Sequence, residues 1–236
     1  MEKKYICIHE NIKNDILQGN YKPGEKFPSE NDFCKMYNTS RGTVRRVLDM
    51  LSEEGLVNSV HGKGSFVLEN NQITFSFGNL VSFDEVSSVN GNEFSTTVPM
   101  FEEVLIDEVL HKKTSLEKGK EAYKLYRKRS LDNENIILDI NYFLKDNVSN
   151  LTKEIAEKSI YKYIEEDLDT KIGFAKRIIK IEEANSIDKK YLNMKSYDFI
   201  VVVKNLVYLN NGAQFEYTES RHRPDRFEFS DFARRR

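Results

Sequence analysis

The sequence predicts an α+β chain in two unlike parts: a helical head closed by a hairpin, and a larger body built on a mainly antiparallel sheet. Three observations carry the prediction. In the first seventy positions apolar residues recur at helical spacing in three short blocks, followed by two β-type runs around "HGKG". Past residue 80 the period turns to alternation, with strand-like runs at 97–107, 121–131, 135–144, 199–209 and 213–223. Between them "ENNQITFSFGN" (69–79) keeps neither period. The expected division is a first domain at 1–70, a linker at 71–79 and a second domain at 80–236.

In the head, Ile8, Ile12 and Ile16 mark a first helix that stops at "QGNYKPG". Ser29, with Asp32 three residues on, forms a capping box for a second helix whose apolar side is Phe33, Met36 and Tyr37. Cys34 beside them reads as a small core residue rather than a reactive thiol. Only "NTS" separates this helix from the next, short enough for a helix-turn-helix. In "TSRGTVRRVLDMLSEEGL" (39–56), Val44, Val47, Leu48 and Leu51 form the core stripe at i, i+3, i+4 and i+7. Ser40 caps its start and Gly55 ends it. Arg41, Gly42, Arg45, Arg46 and Asp49 take the opposite side.

A charged helix face is most often only a solvated one, so the neighbours decide. Three helices and a hairpin, with the third helix rich in arginine, describe a winged helix-turn-helix. In that geometry the start of the third helix meets base edges in the major groove. Arginine suits the task, because its fork pairs with guanine O6 and N7. Gly42 costs about 1 kcal/mol relative to Ala in an exposed helix. Close approach to DNA is one reason to keep it, and a tolerated defect is the other. Lys63 at the hairpin tip reaches a phosphate or the minor groove, with His61 beside it.

"FPSENDFCKMYNTSRGTVRRVLDMLSEEGLVNSVHGKGSFV" (27–67) resembles the DNA-binding domain of the GntR family of bacterial transcription regulators. The resemblance implies operator contacts by Ser40, Arg41, Thr43 and Arg45, to which the helix face adds Arg46, with His61, Gly62 and Lys63 on the wing. Asn31 departs from the pattern, standing where many relatives carry a basic residue. Residues 1–70 hold ten Lys+Arg and ten Asp+Glu, so the positive charge is local to the third helix and wing. Modest non-specific affinity, with a steep dependence on dimerisation and salt, is the expectation.

Composition limits the rest. The chain has 236 residues and a formal charge of -2, which argues against a general polyanion binder. Two cysteines, Cys7 and Cys34, make no disulfide framework and fit a reducing compartment. The longest strongly apolar run, "FIVVV" (199–203), is far short of a membrane span. His9, His61, His111 and His222 have no metal-ligand spacing. A cytoplasmic protein with no metal and no cofactor is expected.

In the body, helical stretches are expected near 82–90, 151–168 and 186–194, and "DNEN" and "NNG" signal hairpin turns. Along "EAYKLYRKRSLD" the odd positions are Tyr123, Leu125, Arg127, Arg129 and Leu131, an apolar side with two arginines in its middle. Buried arginines are costly unless paired. Two readings fit: structural ion pairs, with Asp139 on the next strand as a partner, or an anion pocket for phosphate or carboxylate. The capping box "SFDE" (82–85) and a cap at Ser159 add helix N-termini, which favour phosphate, although each serine alone is an ordinary cap. Glu216, Thr218, Ser220 and His222 alternate on one strand face and offer hydrogen bonds to sugar hydroxyls; a core or solvated histidine is the other reading of His222. With no Trp, stacking on a sugar falls to residues such as Phe83 or Tyr161.

This half resembles the UTRA ligand-binding domain, which accompanies the HutC branch of GntR regulators and has a chorismate-lyase-like fold. The likeness implies effector contacts by Ser82, Phe83, Arg127, Arg129, Asp139, Ser159, Tyr161, Glu216 and His222. Many relatives carry Glu at the Asp139 position and Tyr at the His222 position. More narrowly, "GNLVSFDE", "ILDINYFLK", "LTKEIAEKSIYKYIE" and "YTESRHRPDRFEFSDFARR" resemble trehalose operon repressors of low-GC Gram-positive bacteria, whose effector is trehalose 6-phosphate. The resemblance thus implies a homodimeric repressor, not an enzyme, that binds double-stranded operator DNA and is released by a sugar phosphate. Three alternatives stay open: another phosphorylated sugar or carboxylate as effector, a body that only dimerises, and a lyase-like enzyme fused to a DNA-binding module.

Overall fold

The computed structural model describes residues 4–60, 63–68, 75–76, 95–227 and 229–230. The chain divides into two compact units, Met1–Asn79 with Glu228–Arg236, and Leu80–Phe227. No helix among the described residues is long and apolar enough to cross a membrane.

The first unit contains α1 (Lys4–Leu17), α2 (Glu30–Met36), α3 (Arg41–Glu53) and a hairpin of β1 (Val57–Val60) and β2 (Gly64–Val67). Ile8, Ile12 and Ile16 of α1 pack with the α3 stripe of Val44, Val47, Leu48 and Leu51. The Ser29–Asp32 capping box opens α2 as expected, and Gly55 follows α3 at φ 73°, where a side chain would be strained. Met36 corrects the sequence reading: α2 is two turns long, Phe33 is buried with Cys34 and Tyr37 packed partly buried beside it, and Met36 is 58% exposed. β3 (Phe75–Ser76) lies within the expected linker and pairs in parallel with β10 (Phe229–Ser230).

The second unit is a six-stranded sheet of order β4-β5-β6-β9-β8-β7, antiparallel throughout. Its strands are β4 (Ser95–Leu105), β5 (Glu121–Leu131), β6 (Glu134–Leu144), β7 (Ile172–Glu183), β8 (Phe199–Leu209) and β9 (Gln214–His222). Asp132 and Asn133, both at positive φ, close β5 on β6 in the tight turn that a twisted hairpin prefers. One sheet face packs Tyr123, Leu125, Phe143 and Val207 against residues 148–168, which form α5 (Lys153–Ala156), α6 (Ile160–Lys162) and a π-helical turn (Tyr163–Asp167). The other packs Leu138, Ile140 and Val202 against Leu110 of α4 (Glu108–Thr114) and Ile187 of α7 (Ser186–Tyr191).

Three expectations change here. The sequence reading placed neither β7 nor α4. The single helix expected at 151–168 is three short pieces, and the expected helix at 186–194 stops at Tyr191. The stretch expected helical at 82–90 lies outside the described residues.

Candidate functional site

In the first unit three exposed arginines, Arg41, Arg45 and Arg46, lie in the first half of α3. Ser40 caps it: Oγ accepts from Thr43 N at 3.2 Å and lies 3.0 Å from Thr43 Oγ1. Arg41 and Arg45 are exposed, away from the core stripe. Arg45 leans on α2, its Nε donating to the two carboxylate oxygens of Glu30 at 3.1 and 3.0 Å. An exposed pair like this is worth at most about 1 kcal/mol, so it orients the guanidinium without locking it. Arg46 differs. Its guanidinium lies 3.9 Å from the Tyr5 ring centroid, and Nη2 donates to the Tyr5 hydroxyl at 3.1 Å. That contact ties α1 to α3, a use inside the fold that the sequence did not reveal. Outside the helix backbone, a Cβ added at Gly42 meets only Ser40 Oγ, at 3.9 Å, so packing does not require glycine there. Lys63 is exposed at the hairpin tip, while His61 and Gly62 lie outside the described residues.

In the second unit the polar groups share the sheet face covered by residues 148–168. Arg127 stands cross-strand from Asp139, which stands cross-strand from Ser220. The Asp139 carboxylate takes its hydrogen bonds from Arg129 Nε at 2.8 Å and from Ser220 Oγ at 2.6 Å. Arg127 instead reaches the covering turn, Nε donating to Ala156 O and Nη2 to Lys158 O, both at 2.8 Å. All three charged groups are buried. Burial works to raise the Asp139 pKa, but the Arg129 and Arg127 charges hold it below the ordinary aspartate value.

Ser159 follows that turn and caps α6, its Oγ accepting from Lys162 N at 3.3 Å. Two residues on, Tyr161 lies beside Glu216; burial first, and then the Glu216 charge, pushes its hydroxyl pKa well up. Glu216 accepts from Thr218 through Oε1, and its carboxyl also meets the Tyr161 hydroxyl. Burial pushes the Glu216 carboxyl up to about 7 and the His222 imidazole down to about 4. Around neutrality the site therefore pairs a neutral imidazole with a carboxyl near its midpoint, beneath two guanidiniums. Such a set has the chemistry to bind an anion that carries neighbouring hydroxyls. Ser82 and Phe83 lie outside the described residues.

Comparison with known proteins decides the family. Residues 4–67 match the model described as bacterial regulatory proteins, gntR family, and residues 90–228 match the UTRA domain. Over 232 residues the chain is 41% identical to the HTH-type transcriptional regulator TreR of Bacillus subtilis, covering 98% of both chains. The chain belongs to the GntR family. It is a DNA-binding transcription regulator of the UTRA-bearing kind. It is also 29% identical over 227 residues to GmuR of Bacillus subtilis, covering 95% of both. Among solved structures, the effector binding domain of the B. subtilis trehalose repressor matches with a TM-score of 0.55 and 42% identity, over 60% of this chain and 98% of that one. YydK of B. subtilis matches over 99% of this chain and 100% of its own with a TM-score of 0.81; at 22% identity that likeness shows the fold.

Within this GntR regulator the structure gathers Arg127, Arg129, Asp139, Glu216 and His222 on one sheet face, with Tyr161 and Ser159 in the segment over it. Three neighbours escaped the sequence reading: Asn141, Asn205 and Arg177. Asn141 and Asn205 lie in apolar strands where an amide looks like an interruption. Arg177 lies in β7, whose "AKRIIKIEE" mixes charges on both faces. Strand register is the signal that finds them, and it is not in any one segment.

Proposed function

We propose that this GntR regulator is a homodimeric repressor of a trehalose-utilisation operon, released from its operator by trehalose 6-phosphate. Ser40, Arg41, Thr43 and Arg45 are the operator-reading set, Lys63 with His61 and Gly62 is the wing, and Arg46 steadies the reading helix through Tyr5. Arg127 and Arg129 take the phosphate together with Ser159, and the family likeness adds Ser82 and Phe83 as further effector contacts. Asp139, Tyr161, Glu216 and His222 take the sugar.

One observation carries the effector half. Two arginines are buried on a sheet face whose other polar members are hydrogen-bonding groups, in a chain 41% identical to a regulator named TreR. A guanidinium pair costs free energy to bury, and a phosphate offsets that cost with charge-assisted bonds. The residues by themselves support a small polar anion; the likeness to trehalose repressors supplies the sugar. Release requires that the ligand bind the DNA-incompetent arrangement better than the operator-bound one.

A gel-shift titration on the promoter of trehalose-utilisation genes tests this. Trehalose 6-phosphate should release the protein, while trehalose, inorganic phosphate and other hexose phosphates should be far weaker. Release by an unrelated carboxylate, or by none of these, would sink the effector assignment.

A further inference from the structure

Beside the arginine row runs a second polar row that the effector reading does not use. Register sets Asn141, Thr218, Asn205 and Arg177 side by side on β6, β9, β8 and β7, next to Arg127, Asp139 and Ser220 on the same face. Asn141 Nδ2 donates to Thr218 Oγ1 at 2.7 Å, and Arg177 Nε donates to Asn205 Oδ1 at 2.8 Å. A face that packs through Leu125, Phe143 and Val207 has no packing use for four polar side chains in line. One buried acceptor is left over. Asn141 Oδ1, on a residue 3% exposed, closes no hydrogen bond among the described residues. A buried acceptor without a donor is a standing cost that an incoming hydroxyl removes.

We infer that this row is a second sugar subsite, which takes the unphosphorylated ring of a disaccharide phosphate while Arg127 and Arg129 hold the phosphate. The inference rests on the effector reading above. Strand spacing gives the scale: β5 to β8 is three steps of about 4.8 Å, roughly 14 Å in all, the length of two rings rather than one. Exposure rises along the row, from buried Asn141 and Thr218 to half-buried Asn205 and Arg177. The phosphate end is thus deep and the distal end opens toward β7. Carboxamides both donate and accept, which suits neutral hydroxyls better than a second anion. Tyr161 feels the charges of both Arg127 and Arg177, so its hydroxyl lies within reach of both ends.

Calorimetric titration of the full chain with trehalose 6-phosphate, glucose 6-phosphate and inorganic phosphate reads the two ends separately. Wild type should prefer the disaccharide phosphate over glucose 6-phosphate by about tenfold or more. Asn205→Ala and Arg177→Gln should each weaken trehalose 6-phosphate by roughly 10- to 30-fold and leave glucose 6-phosphate within about twofold. Equal wild-type affinity for the two sugar phosphates overturns the inference and leaves the sugar-phosphate reading standing. Variants that weaken both ligands alike, or neither, also overturn it, because the row would then serve only the sheet. A wild type that binds neither sugar phosphate overturns both readings. The wild-type comparison stays decisive even if a variant fails to fold.

Discussion

Replacing Glu216 with Gln should remove one arm of the second unit's pH-dependent stability. Burial raises this carboxyl from 4.5 to about 7. Between those values the folded chain holds a proton that the unfolded chain has released. Stability from that proton is present at the acid end and lost as pH rises through about 7. A shift of this size corresponds to about 3 kcal/mol at 1.36 kcal/mol per pKa unit. His222 slopes the other way, since burial lowers it from 6.5 to about 4 and the unfolded chain takes up its proton first. The two slopes oppose each other in wild type, so its own pH profile conceals both. Glu216→Gln keeps the size and the acceptor for Thr218 but cannot ionise, while His222 is common to both proteins and cancels in the difference. Denaturant unfolding of both proteins at pH 5, 6, 7 and 8 is the assay. Relative to the variant, wild type should lose most of about 3 kcal/mol between pH 5 and 8. A difference that stays flat with pH would refute the reasoning, and with it the neutral-carboxyl picture of the site.

Arg45→Ala should weaken operator binding by roughly 1–3 kcal/mol per half-site in a gel shift, while effector binding and fold hold; unchanged affinity at physiological salt would remove Arg45 from the reading set. Gly42→Ala should raise the first unit's stability by up to about 1 kcal/mol, because the added methyl meets only Ser40 Oγ, yet weaken operator binding if the helix backbone approaches DNA closely. Stabilisation with full binding would show that the glycine is merely tolerated. Arg127→Ala and Arg129→Ala should bind operator normally and fail to release it at wild-type effector concentrations, each losing about 1.5–3 kcal/mol of phosphate binding. Arg129→Ala should also lower the melting temperature, since it leaves the buried Asp139 carboxylate without its guanidinium.

What was legible in the sequence follows what is local. Caps and stripes are local, so Ser29, Ser40, Gly55 and the Val44–Leu51 stripe read correctly from spacing alone. The two-residue periods of β5, β6, β8 and β9 were equally visible, and with them the shared face of Glu216, Thr218, Ser220 and His222. β7 is an edge strand without a fully buried residue, and "KRIIKIEE" there satisfies no single period. Pairing across strands was legible only as a condition. An odd-length loop would set Asp139 on the face of Arg127. The turn at Asp132–Asn133 is two residues long, and the bulge between Arg129 and Ser130 shifts the register by one to bring Asp139 opposite Arg127. Yet its carboxylate bonds Arg129, one position along the face. Arg127 binds backbone carbonyls of Ala156 and Lys158, partners that no side-chain pattern announces.

β9 shows most sharply why charge in this chain cannot be read as surface. Its even positions, Glu216 to His222, face the candidate effector site. Its odd positions face the opposite core, where Arg221 donates to both carboxylate oxygens of Asp188 at 2.6 and 2.8 Å and also binds Glu219, which accepts from Tyr217. Arg221 and Asp188 are 2% and 0% exposed, so this fork joins α7 to the sheet where water cannot replace it. Breaking such a pair strands a charge, which is far costlier than the pair is worth as a gain. The strand is thus held rigidly from behind while its front presents Glu216 and His222. A binding face needs that support, because a carboxyl poised near 7 keeps its pKa only if the groups around it hold their places. In "EYTESRH" seven consecutive residues carry both tasks, and only the alternation of the strand keeps them apart.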